Sequence, residues 1–206
     1  MLSLPVENPG LEFRVREVVS MKAVVVYESL WGNTAAIARA IAQGMGSEVP
    51  ALSTAEAAGP AMAGVDLIVA GAPVLGFQLP SDSMRHNIAA NPGGAPRAPD
   101  LSHPSMRSWL DALPETHSRC AAFETGLRWS PGGATSAIGR GLEQAGCRQL
   151  VKGQRFVVKG KWGPLRDGEL ERARRWGTEL ASAAGDQPTG KQSSASATTA
   201  DAEAEE

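Results

Sequence analysis

The chain of 206 residues has two cysteines, Cys120 and Cys147, and three histidines, His86, His103 and His117. Two thiols make no disulfide framework and the histidines share no ligand spacing, so neither a stapled secreted domain nor a structural zinc site is expected. A reduced, cytoplasmic protein fits this usage better. Nothing in the sequence approaches the run of about 20 apolar residues that a membrane helix requires, so no membrane insertion is expected. Glu7, Glu12 and Glu17, with Pro5 and Pro9, leave no room in the first 20 residues for the basic start and apolar run of a secretory leader. Several signatures of chemistry are also missing. There is no Gly-x-x-x-x-Gly-Lys-Ser/Thr, no Gly-x-Gly-x-x-Gly, no Gly-x-Ser-x-Gly elbow, no Cys/His nucleophile pair and no carboxylate pair to serve as acid and base. No catalytic side chain and no metal ligand is assigned.

The distribution of charge carries more than the total. The formal net charge is −2, but 186–206 holds five acids against Lys191 alone, a net −4, which leaves residues 1–185 at +2. Residues 1–118 carry 7 basic and 11 acidic side chains, whereas 119–175 carry 12 basic and 5 acidic, a segment of net +7. The last 21 residues contain no aromatic or large aliphatic side chain to offset the entropy of ordering, and a disordered acidic tail is expected there. Residues 1–20 show only a weak strand-like patch, Leu11 to Val19, and read as an N-terminal extension; 21–185 read as the folded domain, with Met21 as its natural beginning.

Within 21–185, strand and helix signals alternate. Ala23 to Tyr27 is a short β-branched run of the kind buried on both faces of a parallel sheet. A helix follows from Asn33 or Thr34, with Ile37, Ile41 and Met45 on one face and Gly44 and Gly46 marking its end. Glu48 to Leu52 reads as a weaker strand, with Ser53 and Thr54 opening a second helix. Val65 to Ala70 is another buried strand, ending at Gly71. The stretch from Pro73 to His103 is too polar for a strand and too broken for a helix, and a loop of that length is usually functional or mobile. A short helix through Met106, Trp109, Leu110 and Leu113 precedes a strand at Arg119 to Glu124, a helix at Thr135 to Gly146 and a last strand, Leu150 to Val158, interrupted near Gly153. The closing helix spans about Gly168 to Ala184, with Leu170, Ala173, Gly177 and Leu180 inward. This order implies an α/β fold with a parallel sheet and helices on both faces.

In such a sheet, ligands bind beyond the carboxyl ends of the strands. The loop after the first strand reads Glu28-Ser29-Leu30-Trp31-Gly32-Asn33-Thr34. It places hydroxyls and a glycine at a helix N-terminus, where unpaired N–H groups and the helix dipole favour a phosphate.

The residues Val25-Val26-Tyr27-x-Ser29-x-x-Gly32-Asn33-Thr34-x-x-Ile37-Ala38 resemble the signature of the flavodoxin-like family, and the likeness extends in order and spacing over Met21 to Ala184. It is closest to short bacterial flavodoxin domain proteins carrying Gly-Pro-Leu-Arg-x-Gly-Glu-Leu-Glu, here Gly163 to Glu171. The resemblance implies a three-layer sandwich with a five-stranded parallel sheet of order 2-1-3-4-5, and flavin mononucleotide (FMN) as the cofactor. By this likeness the phosphate rests on Ser29, Leu30, Trp31, Gly32, Asn33 and Thr34; Trp31 stands where the family often has threonine, leaving a backbone N–H but no hydroxyl. The flavin ring would lie between Ala72, Pro73, Val74 and Leu75 after the third strand and Thr125, Gly126 and Leu127 after the fourth. Trp129 either stacks on the ring or covers local apolar surface.

The implied function is electron transfer to a redox-protein partner or a small quinone-like acceptor. An NAD(P)H-dependent FMN quinone reductase is the alternative, and a binding module that kept the fold and lost the flavin is another. Arg148, Lys152, Arg155, Lys159 and Lys161 lie close together in sequence without any DNA- or RNA-reading motif, so specific nucleic-acid recognition is not expected.

Overall fold

Strand β1, Ala23–Tyr27, is buried along nearly its whole length, as a run of Val24, Val25 and Val26 requires. It lies inside a wholly parallel sheet, between β2, Ala51–Ser53, and β3, Leu67–Pro73. Beyond β3 comes β4, Arg119–Gly126, all of it buried, and then an edge made of two short segments, β5, Arg148–Gln149, and β6, Gln154–Val157. Both segments pair with β4, β5 through Arg119 and Cys120, β6 through Phe123 to Gly126. They occupy one edge position broken over residues 150–153; a break near Gly153 is expected from the sequence, but Leu150 and Val151, read as strand, fall within it, and the first segment is Arg148–Gln149 instead. The order is thus 2-1-3-4-5, with β6 continuing the fifth position. The structure, a computed structural model, describes residues 21–91 and 93–185. The extension at 1–20, with its Leu11 to Val19 patch, and the tail at 186–206 lie outside the described residues.

Alternation along the strands divides the core into two layers, because successive side chains point to opposite faces. Val24, Val26, Ile68, Ala70, Cys120 and Ala122 face α3, Met106–Asp111, and α4, Thr135–Gln144, meeting Trp109, Leu110, Ile138 and Leu142. Val25, Leu67, Val69, Ala121 and Phe123 face the other way, against Ile37 and Ile41 of α1, Asn33–Met45, and Ala173, Trp176 and Leu180 of α5, Glu169–Gly185. Helices α1 and α5 approach so closely that a Cβ on Gly44 would lie 1.9 Å from the carbonyl oxygen of Arg174, and one on Gly177 would lie 2.2 Å from that of Ile41. This is a three-layer α/β sandwich.

Four other expectations need correction. Ser53 and Thr54 open no α-helix; turns and a 3-10 segment, Gly59–Met62, connect β2 to β3, the side chain of Glu56 being drawn back to Ser53. The stretch from Pro73 to His103 contains a helix, α2, Asp82–Ala90, capped by Ser81 accepting from the Met84 N–H. Its inward residue is Arg85 rather than an aliphatic side chain, so the apolar periodicity that betrays a helix is weak. Leu170 points outward at 40% exposure, and Trp176 takes an inward place on α5. His103 is buried, whereas His86 and His117 are exposed as expected.

Candidate functional site

The loop from Glu28 to Gly32 carries the chain from the end of β1 into α1. Gly32 precedes the helix at φ 89°, a left-handed conformation that glycine adopts without steric cost, and no side chain among the described residues caps the helix end. The first intrahelical bond runs from the Ala36 N–H to the Gly32 carbonyl at 3.0 Å, so the N–H groups of Asn33, Thr34 and Ala35 have no partner within the helix. The Ser29 hydroxyl accepts from the Gly32 N–H at 3.1 Å, and the Thr34 hydroxyl meets that of Thr125 at 2.8 Å. Leu30 and Trp31 turn their side chains into a small apolar cluster with Leu75, against Met84, Ile88 and Trp162. At those two positions the loop contributes backbone alone.

Beneath the loop lies a feature that sequence reasoning missed. Glu28 is wholly buried; its carboxylate accepts from the Arg85 guanidinium at 2.9 Å and from the Met106 N–H at 2.8 Å. Arg85 also donates to the carbonyl of His103, whose ring Nε2 lies 3.3 Å from the Ser29 carbonyl. Burial pushes the Glu28 carboxyl upward from its ordinary pKa, against the opposing pull of the Met106 N–H, Arg85 and His103. The ion pair thus ties the loop to α2 and α3. Its only trace in the sequence is an isolated acid at a strand end, far from any base.

The second wall follows β3. The Val74 N–H donates to the Thr125 carbonyl at 2.8 Å, which joins the ends of β3 and β4. A tight turn then exchanges hydrogen bonds between Leu75 and Gln78, with Gly76 at φ 51° and Phe77 at φ 68°. The third wall follows β4. Buried Glu124 accepts from the Ala134 and Thr135 N–H groups and pairs with Arg155 at 2.5 Å. Arg155 also donates to the carbonyls of Ser130 and Gly132, so this one guanidinium holds the loop after β4.

Together these loops frame an open cleft. Of the residues singled out from the sequence, Ser29, Leu30, Trp31, Asn33, Thr34, Pro73, Val74, Leu75, Thr125, Gly126 and Leu127 line it. Three are elsewhere: Gly32 faces a neighbouring polar hollow, Ala72 points into the core, and Trp129 stands at 85% exposure in an adjacent depression with the Arg128 guanidinium 4.9 Å above its ring. Phe77, Ser130, Val158 and Lys161 line the cleft without having been anticipated. Loops place Phe77, Ser130 and Lys161, where no periodicity could have found them, and Val158 continues the pairing of β6 with β4 past the strand end.

The donor set suits an anion. Besides the open helix terminus and the hydroxyls of Ser29 and Thr34, Arg97 donates to the Trp31 carbonyl beside Gly32, and Lys161, over the Trp162 ring, also lines the cleft. The Asn33 amide donates to the Trp162 carbonyl at 3.0 Å, drawing the loop after β6 against α1. The buried indole N–H groups of Trp31 and Trp162 find no acceptor among the described residues. Donors and cations predominate at one end, and aliphatic side chains line the remainder. A phosphate joined to a flat apolar ring system matches that division, so the residues present fit FMN.

Neither a protein-family model nor a curated protein matches the chain in sequence. Solved structures do match in fold. A flavodoxin from the domain Archaea superimposes with a TM-score of 0.56 at 21% identity, covering 80% of this chain and 99% of that one. A WrbA-like flavodoxin protein from Agrobacterium tumefaciens gives 0.51 at 18% identity, covering 80% and 98%. A flavodiiron core from Synechocystis gives 0.50 at 22% identity over 80% of this chain, which spans only 36% of that longer protein. The chain has the flavodoxin-like fold, and the resemblance seen in its first loop extends to the whole architecture.

Proposed function

We propose that the chain binds one FMN non-covalently in this cleft and exchanges electrons with a redox-protein partner or a small quinone-like acceptor, in the cytoplasm. The observation that carries this reading is the uncapped N-terminus of α1, flanked by Ser29 and Thr34, opening onto a cleft with aliphatic walls. The phosphate would be held by the N–H groups of Leu30, Trp31, Asn33 and Thr34 and the two hydroxyls, with Trp31 supplying backbone only and the Gly32 N–H already given to Ser29. Val74, Leu75, Gly126 and Leu127 would bracket the ring and keep water from it, and the Glu124–Arg155 pair keeps the second bracketing loop in place. The bound flavin would supply the electron transfer; the protein binds, orients and shields it.

Titration of the apoprotein with FMN and riboflavin, followed by flavin fluorescence, tests the cofactor. FMN should bind in about the micromolar range and riboflavin more weakly, since a charge-assisted phosphate bond contributes roughly 1.5–3 kcal/mol. Thr34→Val should weaken FMN by about tenfold while leaving riboflavin nearly unchanged. Equal affinity for the two ligands would remove the phosphate site.

Anaerobic stopped-flow separates a carrier from a reductase. Hydride transfer needs the nicotinamide laid on the flavin with its own phosphates held, and the chain has one phosphate loop, already used. Reduction of the FMN-loaded protein by NADH or NADPH should therefore be slow. Rates on the order of tens per second, ordinary for an enzyme, would favour the quinone reductase reading.

A further inference from the structure

Among the described residues, Phe77, Leu127, Trp129 and Leu170 are the large hydrophobic side chains left exposed, and the first three meet at one place. They line an open depression beside the cleft, and Phe77, Leu127 and Val158 belong to both. Trp129 is 85% and Phe77 60% exposed, so neither contributes to the core. Phe77 is moreover held at φ 68°, a conformation costly for a bulky side chain. A turn needing only that backbone would be met more cheaply by glycine or asparagine. The fold accepts backbone strain to present an aromatic ring to solvent, and such an outlier points toward function.

The rim is basic. Arg128 lies over Trp129, Lys159 pairs at 3.0 Å with the exposed Asp167, and Arg166 lines the same depression with no ion pair among the described residues. Lys161 follows at the mouth of the cleft. An apolar centre with exposed aromatics, inside a rim where Arg128, Lys159 and Arg166 outweigh the one carboxylate of Asp167, has the composition of a protein-binding surface rather than of a solvated face.

We propose that this depression is the docking face for an acidic electron-transfer protein, which seats an apolar contact on Phe77, Leu127 and Trp129 and its carboxylates on Arg128, Lys159, Lys161 and Arg166. The inference rests on the FMN redox reading for the partner's class, and on the charge of the rim for the partner's sign. Contact here would bring a partner's redox centre to the wall of the cleft, since Phe77 and Leu127 are common to both. Single-stranded nucleic acid also combines aromatic and basic contacts, but it needs free ring faces along a continuous groove. Here the Arg128 guanidinium at 4.9 Å takes one face of the indole, and the apolar side chains sit around one depression rather than along a groove.

Isothermal titration calorimetry of the full chain tests the surface, with an acidic [2Fe–2S] ferredoxin as the probe and basic cytochrome c and a dT oligonucleotide as the opposed ligands. Ferredoxin should bind, with affinity falling at least tenfold as salt is raised from about 50 to 300 mM. Trp129→Ala should weaken it by about tenfold, as loss of an interface aromatic does, and Arg128→Glu with Arg166→Glu by more. These side chains are exposed, so circular dichroism and thermal midpoint should stay unchanged. Absence of ferredoxin binding, indifference to the substitutions, or preferential binding of cytochrome c or the oligonucleotide would each overturn the proposal. Repeating the titration with and without added FMN keeps the two readings apart. Docking that persists in a protein unable to bind FMN removes the cofactor reading alone, whereas an FMN-loaded protein that ignores ferredoxin removes the docking face alone.

Discussion

Arg85 shows how a single side chain carries the geometry of the site. It reaches from α2 to the buried Glu28 carboxylate directly below the loop that leads into α1, and it also donates to the His103 carbonyl. Removing one partner of a buried ion pair leaves an uncompensated charge, at a cost of about 3–5 kcal/mol. Arg85→Met should therefore lower stability by about that amount at pH 7, measured by urea unfolding. The pH dependence has a definite sign. A carboxyl whose pKa is raised in the fold contributes stability that is present at low pH and lost as pH rises through the raised value. Without Arg85 the Glu28 pKa rises further, so the deficit of the variant should shrink on acidification, once the protonated carboxyl no longer needs a cation. A deficit that grows toward low pH would contradict this account.

Between elements, the approach of α1 to α5 depends on two glycines facing backbone. In an exposed helix interior, Gly→Ala is usually stabilising by about 0.5–1 kcal/mol. Gly44 reverses that sign, because its Cβ would sit 1.9 Å from the Arg174 carbonyl oxygen, a backbone atom that moves only if the helix moves. Gly44→Ala should cost roughly 1–3 kcal/mol, in the range of overpacked cores, whereas Gly139→Ala on α4, where a Cβ meets nothing within 4 Å, should be neutral or better. Thermal unfolding of both variants decides it; equal midpoints would show that α1 and α5 slide freely. From the sequence these glycines read only as a helix end and an inward position. The strands were more legible, because Val24 to Val26 and Leu67 to Ala70 are continuous apolar runs that only a sheet covered on both faces can bury. Helix α2 was not, since the side chain it buries is charged.

At the scale of the whole molecule, the described residues within 21–185 supply two core layers and a sheet closed on both faces. We expect a chain limited to 21–185 to unfold cooperatively with a thermal midpoint within a few degrees of the full protein, as scanning calorimetry would measure; loss of the transition would assign a packing role to the terminal segments. What the sequence determined by itself was local. The β-branched runs, the helix periodicities and the Ser29 to Thr34 loop each follow from the chemistry of neighbouring residues, and they suffice for the parallel sheet, its order by resemblance and the anion-favouring helix end. The tertiary structure alone decided which side chains face that end. Trp129 lies outside the cleft and Phe77 inside it because two turns separate their directions from any repeating pattern. Glu28 meets Arg85 across 57 residues because burial of one charge requires the other, a condition imposed only once the loop, α2 and α3 close over the same small volume.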